Sequence, residues 1–315
     1  MARYIGQRLI LLLVTLWLIS TVTFVLMHSI PGDPFSSEKK LPEQTLRALE
    51  AKYNLDKPLP QQYVLYMKNL ATGDLGISIK TPSRSVNEIL SAGFPVSARL
   101  GLQAIVIASF AGVIMGMIAA IRQNRPTDYI LMVVAVLGLS VPNFVLGPLM
   151  QKYLGLEWEI FPIASWGDGF GSEFQYTVLP SIALSFLPLA LVTRLMRSSM
   201  LDVLGQDYIR TARAKGLPPL KVFSRHTLRN AIIPVVTILG PITINILTGS
   251  FVIEKIFSIP GIGKYFVDSI SNRDYSVIMG VTIFYSALLV MMNFVVDLLY
   301  GLIDPRIKLG AKEGN

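Results

Sequence analysis

The chain has 315 residues, of which 52% are hydrophobic and only 15% are charged. A soluble domain carries about 25% charged residues, so this composition describes an integral membrane protein and leaves a large soluble enzyme without the polar surface it needs. With no cysteine and only two, distant histidines, His28 and His226, disulfides, thiolate-held zinc, iron–sulfur clusters and thiol catalysis are excluded, and the net charge of +8 lies in loops between apolar runs rather than on a nucleic-acid surface.

A helix that crosses about 30 Å of hydrocarbon needs about 20 mostly apolar residues. Six runs meet this length: 9–29, 95–121, 129–153, 178–195, 231–253 and 277–303. Arg3 and Arg8 precede the first run, as in a signal peptide. The run is long, however, and continues into Ile30-Pro31-Gly32-Asp33 with no A-x-A site, so it is read as a retained anchor.

The segment 30–94 follows. Leu46, Leu49 and Tyr53 share one helix face, as do Tyr63, Tyr66 and Leu70, and Gly73-Asp74-Leu75-Gly76 reads as a turn. A small, partly helical outer subdomain is expected there. In the third run Asn143 follows Pro142; Pro180 and Pro188 interrupt the fourth; Asn245 lies in the fifth. Pro142, Asn143 and Asn245 are candidates for lining a path, although an asparagine in a span also serves as a hydrogen-bond partner for a neighbouring helix. Arg99, Arg194, Arg197, Asp297 and Asp304 lie near span ends, where they reach an interface by snorkelling.

Loop charge sets orientation. The cations cluster at Arg3 and Arg8, at Arg122 and Arg125, and in the long loop 196–230. That loop has Arg197, Arg210, Arg213, Lys215, Lys221, Arg225 and Arg229 against Asp202 and Asp207; Arg306, Lys308 and Lys312 follow the last run. The alternate loop 157–176 has Glu157, Glu159, Asp168 and Glu173 and no cation. Six spans with both termini in the cytoplasm satisfy this pattern.

Chemistry is sparse. Gly261-Ile262-Gly263-Lys264 fails as a phosphate loop because Ser258 stands at the first glycine position and Tyr265 follows the lysine. It fails G-x-G-x-x-G because Phe266 takes the last place. Residues 257–263 read instead as a tight re-entrant turn. No buried acid pair of a proton-coupled carrier is visible, so energy comes from another subunit or the solute runs downhill.

The stretch 207–217, D-Y-I-R-T-A-R-A-K-G-L, has more order than a positive-inside anchor requires. Asp207 is predicted to cap a helix. Ile209, Ala212 and Arg213 fall at helical spacing, and Tyr208, Thr211 and Ala212 form an adjacent face with Lys215 one turn on. Gly216 supplies a helix stop and Pro218-Pro219 forbids continuation. The small residues Ala212 and Ala214 allow close approach of a partner, which suits docking into a groove; a lipid-surface helix would need large apolar residues on one face.

Arg210-Thr211-Ala212-x-x-x-Gly216 resembles the EAA loop of binding-protein-dependent ABC importer permeases, E-A-A-x-x-x-G followed by I-x-L-P. Arg210 stands in place of the glutamate, Thr211 in place of an alanine, and Leu228-Arg229 in place of Leu-Pro, with proline only at Pro234. Further stretches are similar to the peptide branch of that family: Pro31-Gly32-Asp33-Pro34-Phe35, Tyr53-Asn54-Leu55-Asp56-Lys57-Pro58, Phe94-Pro95-Val96-Ser97, Ser140-Val141-Pro142, Asn272-Arg273-Asp274-Tyr275 and Ile303-Asp304-Pro305-Arg306. Together they resemble a B-type permease of an oligopeptide or dipeptide importer; nickel permeases share much of the pattern, and segment 34–42 favours the oligopeptide subgroup.

The resemblance implies an all-α type I importer permease fold with six transmembrane helices and a small extracytoplasmic insert after the first. It divides the chain into 1–94, 95–304 and a cytoplasmic tail 305–315. It implies a bacterial plasma (inner) membrane protein that forms half of a translocation path with a homologous second permease. Two ATPase subunits would hold ATP-Mg, a peptide-binding protein would deliver cargo, and 207–217 would be the coupling helix. The chain itself would bind no cofactor and no nucleic acid and hydrolyse nothing. The competing class is a self-contained channel or secondary carrier; a membrane-embedded hydrolase lacks a nucleophile–base pair.

Overall fold

A computed structural model describes residues 2–29, 35, 42–167 and 173–303. Residues 31–34 and 36–41, Asp168, and everything from Asp304 onward, with Arg306, Lys308, Lys312 and the 305–315 tail, lie outside the described residues. The helices, in order, are α1 (Ala2–Ser29), α2 (Glu43–Lys52), α3 (Leu59–Ala71), α4 (Val86–Ile121), α5 (Pro126–Ser140), α6 (Asn143–Met150), α7 (Glu173–Leu204), α8 (Asp207–Ala214), α9 (Pro219–Lys221), α10 (Arg229–Gly249), α11 (Phe251–Ile256), α12 (Ile262–Asn272) and α13 (Tyr275–Ile303). Two wider π-helical stretches, Gln151–Glu157 and Val222–Leu228, extend α6 and join α9 to α10.

Contacts divide the chain into two units, Met1–Val96 with Pro260–Asn315, and Ser97–Ile259. In the first, α1 packs along α13, and α12 folds back on α13. The two predicted faces of the 30–94 segment are both used. Leu46, Leu49 and Tyr53 pack against the buried cluster of Phe35, Ile79 and Tyr275. Tyr63 and Tyr66 set their rings against Phe24 of α1, and the Tyr63 hydroxyl meets Thr21 Oγ1 at 2.8 Å. The 73–76 turn forms as expected: Gly73 (φ +77°) and Gly76 (φ +88°) adopt the left-handed conformation that glycine takes without a Cβ clash. Asn87 bridges the turn, donating to the Gly73 carbonyl and accepting from the Leu75 amide.

Asp274, just before α13, is buried and accepts four hydrogen bonds. They come from Ser78 Oγ (2.5 Å) and from the amides of Ile79 (3.1 Å), Lys80 (3.2 Å) and Val277 (3.3 Å). The Val277 bond caps α13; the other three clasp residues 78–80 to it.

In the second unit, small residues set the helix spacing. On α4, Gly112 and Gly116 face Val192, Thr193 and Met196 of α7, and on α5 Gly138 faces the Phe186 carbonyl. Gly112 and Gly116 are four apart, the spacing that lets membrane helices approach closely. Ala120, Val192, Met196, Met200, Ala231 and Val235 form the buried core where α4, α7 and α10 meet.

Four expected boundaries change. The second run starts earlier than predicted, because α4 begins at Val86 and continues through Pro95. The third run is not one straight span: Pro126–Ser140 and Asn143–Glu157 meet at 107°. Val141 and Pro142 are extended there (ψ 118° and 142°), because proline removes an amide donor and biases the residue before it away from the helix. The fourth is longer than predicted: α7 continues through Pro180 and Pro188 and on to Leu204, since neighbouring helices can satisfy the freed carbonyls. The fifth divides at Ser250 into α10 and α11. Among the described residues, four helices are long and apolar enough to cross a bilayer, or five if the bent pair counts as one span.

The predicted 196–230 loop is therefore mostly helical. A tight turn does form within 257–263. Ser258 takes φ +54° and α12 starts directly after Gly261. The glycine that permits close approach is Gly93, whose Cβ would lie 3.0 Å from the Ile262 amide nitrogen.

Candidate coupling surface

Gln206 is extended (φ −74°, ψ 147°) and is the residue before α8; no side chain caps the helix. The expectation that Asp207 is the cap is thus corrected. Asp207 is the first helical residue, where its carboxylate still faces the positive end of the helix dipole. It pairs with Arg210 at 3.7 Å, but both side chains are largely exposed, so the pair is screened and adds little.

Ile209 and Ala212 form the inner face. Both are buried and cluster with Val222, with Val203 of α7 and Leu217 packed alongside. The end of the helix is a Schellman motif: the Leu217 amide donates to the Ala212 carbonyl (3.3 Å) and the Gly216 amide to the Arg213 carbonyl (2.9 Å). Gly216 takes φ +74°, the left-handed position that this motif assigns to glycine, and Leu217 supplies its apolar contact.

The outer face carries Asp207, Tyr208, Arg210, Thr211, Arg213, Ala214, Lys215 and Gly216, all exposed. Tyr208 is steadied by Asn230 Nδ2, which donates to its hydroxyl at 3.1 Å. The expectation that both alanines serve a partner is corrected for Ala212. Ala212 is used inside the chain; Ala214 and Gly216 remain outside, among three cations. Ile209→Ala removes the buried anchor and should cost about 2–3 kcal/mol of local stability. The check is hydrogen exchange of the α8 amides, which should speed up while those of α4 do not.

The proposed path residues are dispersed. Pro142 is exposed at the α5–α6 bend, Asn143 is half-buried at the start of α6, and Asn245 is exposed on α10. α6 and α10 both pack on α7.

Sequence reasoning passed over three acidic residues that the fold buries: Asp128, Asp274 and Glu254, which accepts from Ser250 Oγ at 2.5 Å. Arg197, expected to snorkel from a loop, instead lies on α7 with Nε and Nη2 each 2.7 Å from Asp128. The only local signal for Asp128 was its position two residues after Pro126, in a first helical turn where an acid is favourable.

The profile described as "Binding-protein-dependent transport system inner membrane component" matches residues 112–309, and the N-terminal profile of the same membrane component matches 1–87. The chain belongs to this family of binding-protein-dependent transport system inner membrane components, and is a multi-pass protein of the bacterial plasma membrane. It is 54% identical to the dipeptide transport system permease protein of Bacillus subtilis over 99% of this chain and 100% of that one. It is 47% identical to the dipeptide permease of Lactococcus lactis (98% and 100%) and 42% identical to the oligopeptide transport system permease protein of Haemophilus influenzae (98% and 100%). Two solved structures share the fold. One is an amino acid ABC transporter crystallised with histidines (TM-score 0.52, 16% identity, 70% of this chain and 94% of that one). The other is an inward-facing methionine ABC transporter (TM-score 0.52, 13% identity, 69% and 96%).

Proposed function

We propose that this chain is the permease subunit of an ATP-driven peptide importer and forms one half of its translocation path. The observation that carries the coupling role is α8: its inner face is anchored on Val203 and Val222 of its own chain, while its basic outer face is left open. A helix held on one side and free on the other can be pushed as a unit. Residues 207–217 dock on an ATPase subunit, one of two that hold ATP-Mg. A homologous second permease completes the path, and a peptide-binding protein delivers cargo from outside.

In this reading the chain makes six spans, with α10 and α11 as the fifth and the bent α5–α6 pair as the third, and both termini are cytoplasmic. Residues 1–94 comprise the first span and an extracytoplasmic insert, 95–304 the importer domain and 305–315 a cytoplasmic tail. Pro142, Asn143 and Asn245 face the path. The relatives at 54% and 47% identity carry the dipeptide name, which weighs against the oligopeptide expectation drawn from segment 34–42 and favours short peptides.

Gly216 provides the test. A Cβ there would meet nothing within 4 Å, so a side chain at 216 projects from the open surface instead of into a core. Gly216→Trp meets no clash but is strained at φ +74°, a local cost at the end of α8 that should leave the protein folded in the membrane, and it should abolish peptide uptake by the complete transporter; Gly216→Asn, a small side chain that tolerates the left-handed conformation, should retain it. Normal uptake by Gly216→Trp would remove the docking role. Uptake into vesicles by this chain alone would instead support a channel or carrier. Competition by dipeptides against longer peptides decides the cargo class.

A further inference from the structure

Asp128, in the first turn of α5, is 1% exposed. Arg197 Nε donates to its Oδ1 and Nη2 to its Oδ2, each at 2.7 Å. This is the two-pronged geometry that a planar guanidinium offers and an ammonium does not. The Asn124 amide donates to Oδ2 at 3.0 Å, so the same carboxylate also ties down the turn between α4 and α5. Further along the helices, Gly112 and Gly116 press α4 onto α7, and Gly138 presses α5 onto it. In the other direction α7 ends at Leu204, and its Val203 packs against the inner face of α8.

Asp128 is buried, whereas Arg197 keeps 25% of its side chain exposed, and desolvation of the carboxylate makes such a pair a poor source of net stability. What it does well is enforce one geometry, since the buried carboxylate left alone is costly. Here it clasps α7 between its two interior prolines, Pro180 and Pro188, and the helix it supports, α8. Proline removes a helical hydrogen bond and adds freedom to bend. The clasp lies on the α8 side of both prolines.

We infer that Asp128 and Arg197 are positioning residues that fuse α4, α5 and the second half of α7 with α8 into one moving body. A displacement of α8 then reaches the α4–α5 hairpin, where it would otherwise be absorbed by bending of α7. This rests on the docking role proposed for α8 and adds the residues that transmit its motion.

The test uses the complete transporter in lipid vesicles, with cysteine-free partner subunits. Because this chain has no cysteine, spin labels placed by Gln123→Cys and Gln206→Cys report one distance without background. In the otherwise native chain that distance should be the same with and without bound ATP. With Asp128→Asn it should become nucleotide-dependent. ATP hydrolysis should persist while peptide uptake per ATP falls about tenfold, within the range that positioning residues exert on coupling. Arg197→Lys, which keeps the charge but not the fork, should fall between the two, and it carries the same measurement if Asp128→Asn does not assemble.

A 123–206 distance that changes with nucleotide in the otherwise native chain would overturn the inference. So would equal losses of hydrolysis and uptake accompanied only by a lower melting temperature, the mark of a purely structural pair. Failure of the docking reading is separate: it would show as normal uptake by Gly216→Trp, whatever the label distance does.

Discussion

Gly116→Ala should destabilise the protein by about 3 kcal/mol, the upper end of what one added methyl costs in a packed core. A Cβ at 116 would stand 2.6 Å from Met196 Cβ, 2.7 Å from the Thr193 carbonyl oxygen and 3.1 Å from the Arg197 amide nitrogen. None of these atoms is the tip of a flexible side chain, so α4 and α7 must separate. One turn away, a Cβ at Gly112 would lie 2.8 Å from Val192 Cγ1, so the helices cannot simply rotate to make room. Separation would also open the core of Ala120, Val192, Met196, Met200, Ala231 and Val235. The thermal midpoint of the purified protein should drop by roughly 5–10 °C, scaling from domains of somewhat smaller size. Gly6→Ala is the control, because a Cβ there meets nothing within 4 Å. An unchanged midpoint for Gly116→Ala would mean that the α4–α7 contact is looser than this spacing demands.

Asp274→Ala should be as damaging, by about 3–5 kcal/mol, because it strands buried donors instead of removing a contact cleanly. Ser78 Oγ and the amides of Ile79, Lys80 and Val277 all lose their acceptor. The damage would spread. Ser78 Oγ in turn accepts from the Thr81 amide at 2.8 Å, and the Tyr53 hydroxyl donates to the Ser78 carbonyl at 3.0 Å. The 78–81 segment and the end of α2 therefore hang on one carboxylate. Burial, with the charge of Asp274 added, already raises the Tyr53 phenol above its ordinary value, so that hydroxyl stays a donor at any working pH. Protease cleavage within 72–85 should become fast in Asp274→Ala and stay slow in the native chain. Asp274→Asn keeps one acceptor oxygen and should fall between them. Equal resistance of the alanine variant would show that the apolar cluster around Phe35 and Ile79 holds the segment unaided.

Much of α8 was legible because its determinants are local. Gly216 and Pro218 terminate α8 through backbone conformation and a missing donor, properties that travel with the residues themselves. The faces formed by Leu46, Leu49 and Tyr53, and by Tyr63 and Tyr66, follow from helical period, and both found apolar partners. The apolar runs were legible because hydrocarbon thickness imposes a length that composition alone must meet.

What failed was every question about which element lies opposite which. Ala212 and Ala214 are alike in sequence, yet only Ala212 meets Val222 and so turns inward. Pro180 and Pro188 are tolerated inside α7, whereas Pro142 sits at a 107° bend; the same ring gives different outcomes because neighbouring helices, not the proline, decide whether the helix can continue. Gly112 and Gly116 display their four-residue spacing openly, but not that α7 is the helix they receive. Asp128 and Arg197 are 69 positions apart, and each alone looks like an ordinary interface charge. By itself, then, the sequence determined a membrane permease with helices of set length and a short basic helix with a defined stop. Only the tertiary structure decided the pairings of charge with charge and glycine with side chain. Propensity and hydropathy act within a few residues along the chain, whereas burial and ion pairing depend on whatever folding brings alongside.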